Sequence, residues 1–297
     1  MTQTGETWTV RRLLEWTSGF FTRKDVDQPR LSAELLLAHV LNTPRIRLYT
    51  DYERPVGEKE LAAYRALVKR AGEQEPIAYL TGRAHFFGLE FVVNRDVLIP
   101  RPDTETLVEH VLQTVRYDPS LKAPRILDLC TGSGCIAAAL ASRLPNATVL
   151  AVDVSAAAVE LAKQNIERLK LESRVQVECG DLYEPLTRVV DAAPFDLLVA
   201  NPPYIRSGLL PQLDRSVRDY EPAIALDGGV DGLEVHRRIL AGAPKHVVAR
   251  GQIFLEIAYD QREAALAMAA TIDGLTDCRV VRDSAGNDRV LIARRTP

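Results

Sequence analysis

From Arg125 onward the chain alternates short apolar strands with amphipathic helices, and this alternation limits the possible folds more than any other feature. Ile126–Leu129, Val149–Val152, Val175–Val177 and Phe195–Ala200 read as strands, with helices over Ile136–Leu144 and Ala156–Leu169. A helix over Leu233–Val248, a strand over Gln252–Ile257 and a helix over Gln261–Ile272 come next. Arg279–Arg282 and Arg289–Ala293 flank Ser284-Ala285-Gly286-Asn287, a turn sequence that implies a closing hairpin. Strands separated by helices pair in parallel, with helices on both faces. Strands covered on both faces are nearly continuously apolar, as these are. The expectation is an α/β, Rossmann-like, mostly parallel sheet of seven strands closed by an antiparallel hairpin.

The residues before this region differ. Trp8, Leu13, Leu14, Trp16 and Phe20 mark one amphipathic helix, Leu31 to Leu41 a second, and Leu61, Tyr64, Leu67 and Val68 a third. Pro29, Pro44 and Pro55 punctuate the gaps. This bundle is either a structural core or a partner-binding module, and periodicity does not choose between them. His85 to Val93 is aromatic and β-branched around Gly88, which predicts a short hairpin. The expected organisation is a helical domain over 1–84, a connecting hairpin over 85–100 and an α/β domain over 101–297. In Pro100-Arg101-Pro102-Asp103-Thr104-Glu105, Asp103 or Thr104 is the expected helix cap, whereas capping does not explain Arg101.

Net charge is −3, which argues against bare nucleic acid as the main partner. Cys130, Cys135, Cys179 and Cys278 form no Cys-x-x-Cys pair and read as small, buried, reduced cysteines of a cytosolic protein. The five histidines are scattered, and no metal site is expected. Met1 to Val10 lacks the pattern of a signal peptide, and no segment has the length to span a membrane. A cytoplasmic location is expected.

Two loops carry the chemistry. Asp128-Leu129-Cys130-Thr131-Gly132-Ser133-Gly134 joins the first strand to its helix. Gly132 and Gly134 permit a tight turn and bring a ligand onto backbone N–H groups at a helix N-terminus. Asp153 ends the second strand roughly 20 residues on, where an acid meets ribose hydroxyls. Both NAD and S-adenosylmethionine suit such a loop. Asp128 favours the cationic methionyl end of S-adenosylmethionine over a pyrophosphate. In Cys179-Gly180-Asp181-Leu182, Asp181 with Leu182 is either placed at an adenine edge or an ordinary loop carboxylate.

The second loop is Asn201-Pro202-Pro203-Tyr204, at the end of the fourth strand. The two prolines stop that strand and stiffen the loop beyond it. The Asn201 side-chain oxygen and the Pro202 carbonyl form a pair of acceptors that matches the two donors of a planar NH2 group, a Gln amide or a base amine. Tyr204 is placed to lie against the flat face of that group. The blander reading is turn chemistry with Tyr204 as packing.

These motifs resemble the HemK/PrmC family of protein-(glutamine-N5) methyltransferases. The resemblance starts at Glu75-Pro76-Ile77-Ala78-Tyr79-Leu80-Thr81-Gly82 and continues with Leu98-Ile99-Pro100-Arg101-Pro102-Asp103-Thr104-Glu105. It then includes both loops, Tyr220-Glu221-Pro222-Ala223-Ile224-Ala225-Leu226 and Ala285-Gly286-Asn287-Asp288-Arg289. Asn-Pro-Pro-Tyr is shared with adenine-N6 methyltransferases, and the Ile-Pro-Arg-Pro and Tyr-Glu-Pro blocks are far more specific. His85 and Ala258 depart from the pattern, where an acid and a glycine are usual. The resemblance implies a class I S-adenosylmethionine-dependent methyltransferase that releases S-adenosylhomocysteine. It implies that the acceptor is the Gln of the Gly-Gly-Gln motif in class I peptide chain release factors, with the helical bundle helping to dock them. Asn201, Pro202 and Tyr204 would be catalytic, and Arg101 and Pro203 would join them in holding substrate. Cys130, Thr131, Ser133 and the other loop residues above, with Asn201, would hold the cofactor. Direct DNA binding is not expected. An adenine-N6 nucleic-acid methyltransferase and a ribosomal-protein glutamine methyltransferase are the alternatives.

Overall fold

A computed structural model describes residues 7–188 and 194–297. The start of the signal-peptide reading, residues 1–6, lies outside the described residues. The chain divides into two compact units. One runs through Arg83 and includes Asp214–Tyr220, and the other comprises Ala84–Leu213 and Glu221–Pro297.

In the first unit the helices are Val10–Arg23, Pro29–Val40, Arg47–Thr50, Glu58–Gly72 and Ile77–Thr81. The three periodic segments form long helices, while Trp8 lies before the first, whose cap is Thr9 accepting from the Arg12 N–H. Val10, Leu14, Phe21, Leu36, Leu37 and Tyr64 fill the core. Trp16 is an exception to its periodic set: it is exposed and stacks on Phe20 with ring centroids 5.4 Å apart. Glu34 is buried, with Arg30 at 2.7 Å and the Tyr49 hydroxyl donating to it.

From Ala84 the second unit opens with a hairpin of β1, which begins one residue earlier (Arg83–Phe86), and β2 (Leu89–Val92). Tertiary bonds tie it down within this unit: the Val92 N–H donates to Asn165 Oδ1 at 2.7 Å, and the Phe87 N–H donates to Glu105 Oε1 at 2.7 Å. The main sheet contains β3 (Arg125–Leu129), β4 (Thr148–Asp153), β5 (Val175–Cys179), β6 (Phe195–Ala200), β7 (Val247–Glu256), β8 (Leu275–Arg282) and β9 (Asp288–Arg295). Its order is β5-β4-β3-β6-β7-β9-β8. β3 to β7 pair in parallel, while β9 runs antiparallel to β7 and to β8. The expected sheet and closing hairpin are therefore present. Leu127, Leu129, Leu198, Ala200, Ile253 and Leu255 lie in its core.

Two details differ from expectation. Val247 and Val248 belong to β7 and not to the preceding helix, Glu234–His246. The pairing of β6 with β7 shifts register after Phe195↔Val247, because exposed Ala249 and Arg250 break the apolar run and Arg250 takes φ +65°. Of the four cysteines only Cys135 is fully buried, and Cys179, at the last position of β5, is exposed. No described helix is long and apolar enough to cross a membrane.

Candidate active site

The chain runs outward from β3 through β4 to β5, then returns to the other side of β3 for β6. Such a reversal opens a crevice at the carboxyl ends of the strands. A cleft of about 510 Å³ occupies it, within the usual range for small-molecule sites.

The glycine loop forms one wall. Cys130, Gly132 and Gly134 all have left-handed φ, +58°, +55° and +78°. A Cβ on Gly134 would sit 3.3 Å from the Ala162 Cβ, so glycine also lets the helices pack closely. Two carboxylates hold the turn. Asp128 is wholly buried beneath it, and its Oδ2 accepts from the Thr131 hydroxyl at 2.7 Å and the Ala137 N–H at 3.2 Å. Asp153 Oδ2 accepts from the Gly132 N–H at 2.8 Å, and its Oδ1 from the Ser155 N–H at 2.9 Å. Burial pushes the Asp128 carboxyl up to about 7, against the Thr131 and Ala137 bonds, and raises Asp153 too. Buried Asp128 Oδ1 and Ser133 Oγ have no protein partner among the described residues.

Asn201 follows β6 directly. Its Nδ2 donates to Thr104 Oγ1 at 3.2 Å. Neither Asn201 Oδ1 nor the Pro202 carbonyl accepts a hydrogen bond from any described residue. Arg101 pairs with buried Glu221, which also accepts from the Ile99 N–H at 3.2 Å. The two most specific sequence blocks thus meet across 120 residues of chain. Asp181 pairs with Arg238, both about half exposed.

Of the residues expected at the site, Arg101, Cys130, Thr131, Gly132, Ser133, Asp153, Asp181, Leu182, Asn201 and Pro203 line the cleft together. Asp128, Gly134, Pro202 and Tyr204 are not among the lining residues. Asp128 lies under the loop as a support, and Pro202 is buried. The Tyr204 hydroxyl is engaged at 3.3 Å with Glu256 Oε1, and its carbonyl accepts from Gln261 Nε2 at 3.0 Å.

Two family models match the chain, the PrmC N-terminal domain over residues 12–82 and the methyltransferase small domain over 102–213. The release factor glutamine methyltransferase of Geobacter sulfurreducens is 42% identical over 99% of both chains. This chain belongs to the release factor glutamine methyltransferase family. The namesake from Rhodopirellula baltica is 39% identical, covering 96% of this chain and 95% of its own. Among solved structures, the hMettl16 catalytic domain in complex with MAT2A 3'UTR hairpin 6 is similar with a TM-score of 0.56 and 19% identity, covering 71% of this chain and 76% of its own. A methyltransferase from Pyrococcus furiosus has a TM-score of 0.51 and 21% identity, covering 78% and 98%. At that identity the likeness establishes the class I methyltransferase fold.

Sequence reasoning missed several contributors to this methyltransferase site. Thr104, expected as a cap, makes no capping bond and instead accepts from Asn201. Asp103, the other candidate cap, pairs with Arg289 at 3.0 Å. Glu221 lies inside a family motif and Arg238 inside a helix, but only tertiary pairing shows what they hold. Glu256, the last residue of β7, is wholly buried. An acid ending an apolar strand was the available signal. Burial raises it to about 7, offset by the Thr104 hydroxyl, Arg289 and Tyr204.

Proposed function

We propose that this chain methylates the side-chain amide nitrogen of the Gln in the Gly-Gly-Gln motif of class I peptide chain release factors, with S-adenosylmethionine as donor. The relatives' shared name supports the substrate class. The observation that carries the chemistry is the state of Asn201: its NH2 is committed to Thr104 and its oxygen is left free at the cleft.

The donor set fits the cofactor. Thr131 to Ser133 form one wall, braced by Asp153, while Asp181 and Leu182 also line the cleft. Asp153 would hold the ribose, Asp181 with Leu182 the adenine, and Cys130 to Gly134 the methionyl part above buried Asp128. S-adenosylmethionine, when bound, supplies an electrophilic methyl group on a sulfonium. The work of the protein is to make the amide nitrogen a nucleophile. Asn201 Oδ1 and the Pro202 carbonyl accept the two N–H groups of the substrate amide, which draws the nitrogen toward a pyramidal geometry and localises its lone pair. Pro203 and Arg101 border the entering side chain, and Tyr204 backs the loop. The surplus N–H proton leaves after transfer, so no general base is required beforehand. Orientation of this kind contributes about 7–11 kcal/mol to many reactions. The helical unit, with Trp16 exposed, is assigned to docking of the release factor.

Asn201→Ala tests the assignment. Turnover should fall by about 100-fold or more, as when one preorganised group is removed from a transition-state site. The dissociation constant for S-adenosylmethionine, measured by calorimetry, should stay within about twofold, since the glycine loop, Asp153 and the Asp181 side of the cleft offer it most of its contacts. Near-normal turnover would refute the amide-holding role.

A further inference from the structure

The methionyl end of S-adenosylmethionine carries both an ammonium and a carboxylate. The charged residues that line the cleft are Asp96, Asp153, Asp181 and Asp227, against Arg101 and Arg238. An ammonium is easily placed among carboxylates, and a carboxylate is not. The glycine loop does not solve this alone. Its Thr131, Gly132 and Gly134 N–H groups already donate to the Val152 carbonyl at 3.1 Å, to Asp153 Oδ2 at 2.8 Å and to the Thr131 carbonyl at 2.9 Å. The Ala137 N–H, in the first turn of the next helix, is taken by Asp128. Ser133 Oγ is buried without a partner among the described residues, but a hydroxyl accepts as well as donates and does not choose between the two groups.

Of the two cations, Arg238 is engaged with Asp181, and that pair is about half exposed. Arg101 is held differently. Its Nη2 donates to Glu221 Oε1, and the Ile99 N–H fixes the other oxygen of Glu221 at 3.2 Å. The carboxylate behind Arg101 is buried, while the guanidinium keeps part of its surface open. Nε and Nη1 of Arg101 have no partner among the described residues. A planar guanidinium anchored along one edge presents its other donors to a second carboxylate in a fixed geometry. Arg101 is also tied to the reacting end of the cleft. Its carbonyl accepts from the Thr104 N–H at 3.1 Å, and Thr104 Oγ1 accepts from Asn201 Nδ2 at 3.2 Å. A sulfonium placed beside Asn201 has its carboxylate only a short carbon chain away.

We propose that Arg101 holds the methionyl carboxylate of S-adenosylmethionine on its free guanidinium edge, and that Glu221 is the residue that positions it. The inference rests on the reading of S-adenosylmethionine as donor and of Asn201 as the point of methyl transfer, and not on which protein is the acceptor. The substrate amide is neutral and has both its N–H groups matched at Asn201 and Pro202, so it has less need of a cation than the cofactor has. The Arg101 and Glu221 segments thereby share one task. They fix the tail of the cofactor, so that the sulfonium methyl faces the nitrogen held at Asn201.

Calorimetry without any methyl acceptor tests this. The protein is titrated with S-adenosylmethionine and with decarboxylated S-adenosylmethionine, which keeps the adenosine, the sulfonium and the ammonium. The wild type should bind the first about tenfold or more tightly than the second, the worth of a hydrogen bond to a charged group. Arg101→Gln should abolish that preference: affinity for S-adenosylmethionine falls about tenfold or more, while affinity for the decarboxylated form stays within about twofold. Arg101→Lys keeps the charge without the fork and should retain part of the preference. Arg101→Gln leaves buried Glu221 unpaired, so the double variant with Glu221→Gln is measured beside it and should lose the preference equally. Arg238→Gln should leave the preference intact. Equal weakening of both ligands in Arg101→Gln would show that Arg101 only shapes the cleft. Loss of the preference in Arg238→Gln, with Arg101→Gln unaffected, would move the carboxylate to Arg238. Either result, or a wild type with no preference, overturns the proposal. A wild type that binds neither ligand would reject the cofactor reading itself, and the proposal with it.

Discussion

Asp128 shows what one buried carboxyl does to a fold. In the folded protein its pKa is raised to about 7 by burial, against an ordinary value of 3.8. Between about pH 4 and pH 7 the folded state keeps a proton that the unfolded chain has released. The group therefore favours folding at low pH, and that contribution is lost as pH rises through about 7. Asp128→Asn abolishes the titration while keeping an oxygen for Thr131 and Ala137. The stability of the variant relative to wild type should rise from pH 4 to pH 7, as read by urea denaturation at both ends. His236, lowered to about 4 by burial, changes stability in the opposite sense, but it is present in both proteins and cancels. A difference independent of pH would contradict the buried, protonated Asp128. Residues of this kind divide in how far the sequence reveals them. Asp128, Asp153 and Asn201 stand at strand ends beside glycine or proline, so local pattern marks them. Thr104 and Glu256 act through partners that are 97 and 52 residues away in Asn201 and Tyr204, and no periodicity carries that information. Ala258, where the family pattern has glycine, is not among the positive-φ residues, so its side chain costs no backbone strain.

Among elements, the strands were legible because burial on both faces leaves continuous apolar runs, and the loops because glycine and proline interrupt them. Boundaries failed where one element passes directly into another. The helix Glu234–His246 meets β7 with no turn residue between, so Val247 and Val248 read as its last turn. The joining of distant elements was not legible at all. Arg101 and Glu221 show this: one precedes the turn Pro102–Thr104, the other lies far along the chain, and their ion pair fixes both segments beside the cleft. Glu221 is nearly inaccessible, with 2% side-chain exposure, while Arg101 keeps 32%. Removing Arg101 alone leaves a buried carboxylate unpaired. Arg101→Ala should then cost about 1–3 kcal/mol, below the range for fully buried pairs because Arg101 is partly solvated. Adding Glu221→Gln should recover part of that loss, since a neutral amide is cheaper to bury unpaired. Equal stability of the single and double variants would show that the pair does not hold these segments together.

At the scale of the molecule, the two units answer different needs. The helical unit has a core of its own around Tyr64, Phe21 and Leu36, and the α/β unit builds the whole cleft from its own residues. The cleft for methyl transfer thus belongs to the α/β unit, and the function proposed above gives selection of the protein acceptor to the helical unit. A net charge of −3 fits a protein acceptor better than a bare polyanion. The most direct test offers the purified protein S-adenosylmethionine carrying a labelled methyl group. The acceptors are a class I release factor, the same factor with its Gly-Gly-Gln glutamine replaced, and duplex DNA. Label on the intact release factor alone is the predicted result. Label on the DNA, or equal label on the factor lacking that glutamine, would contradict the proposed acceptor.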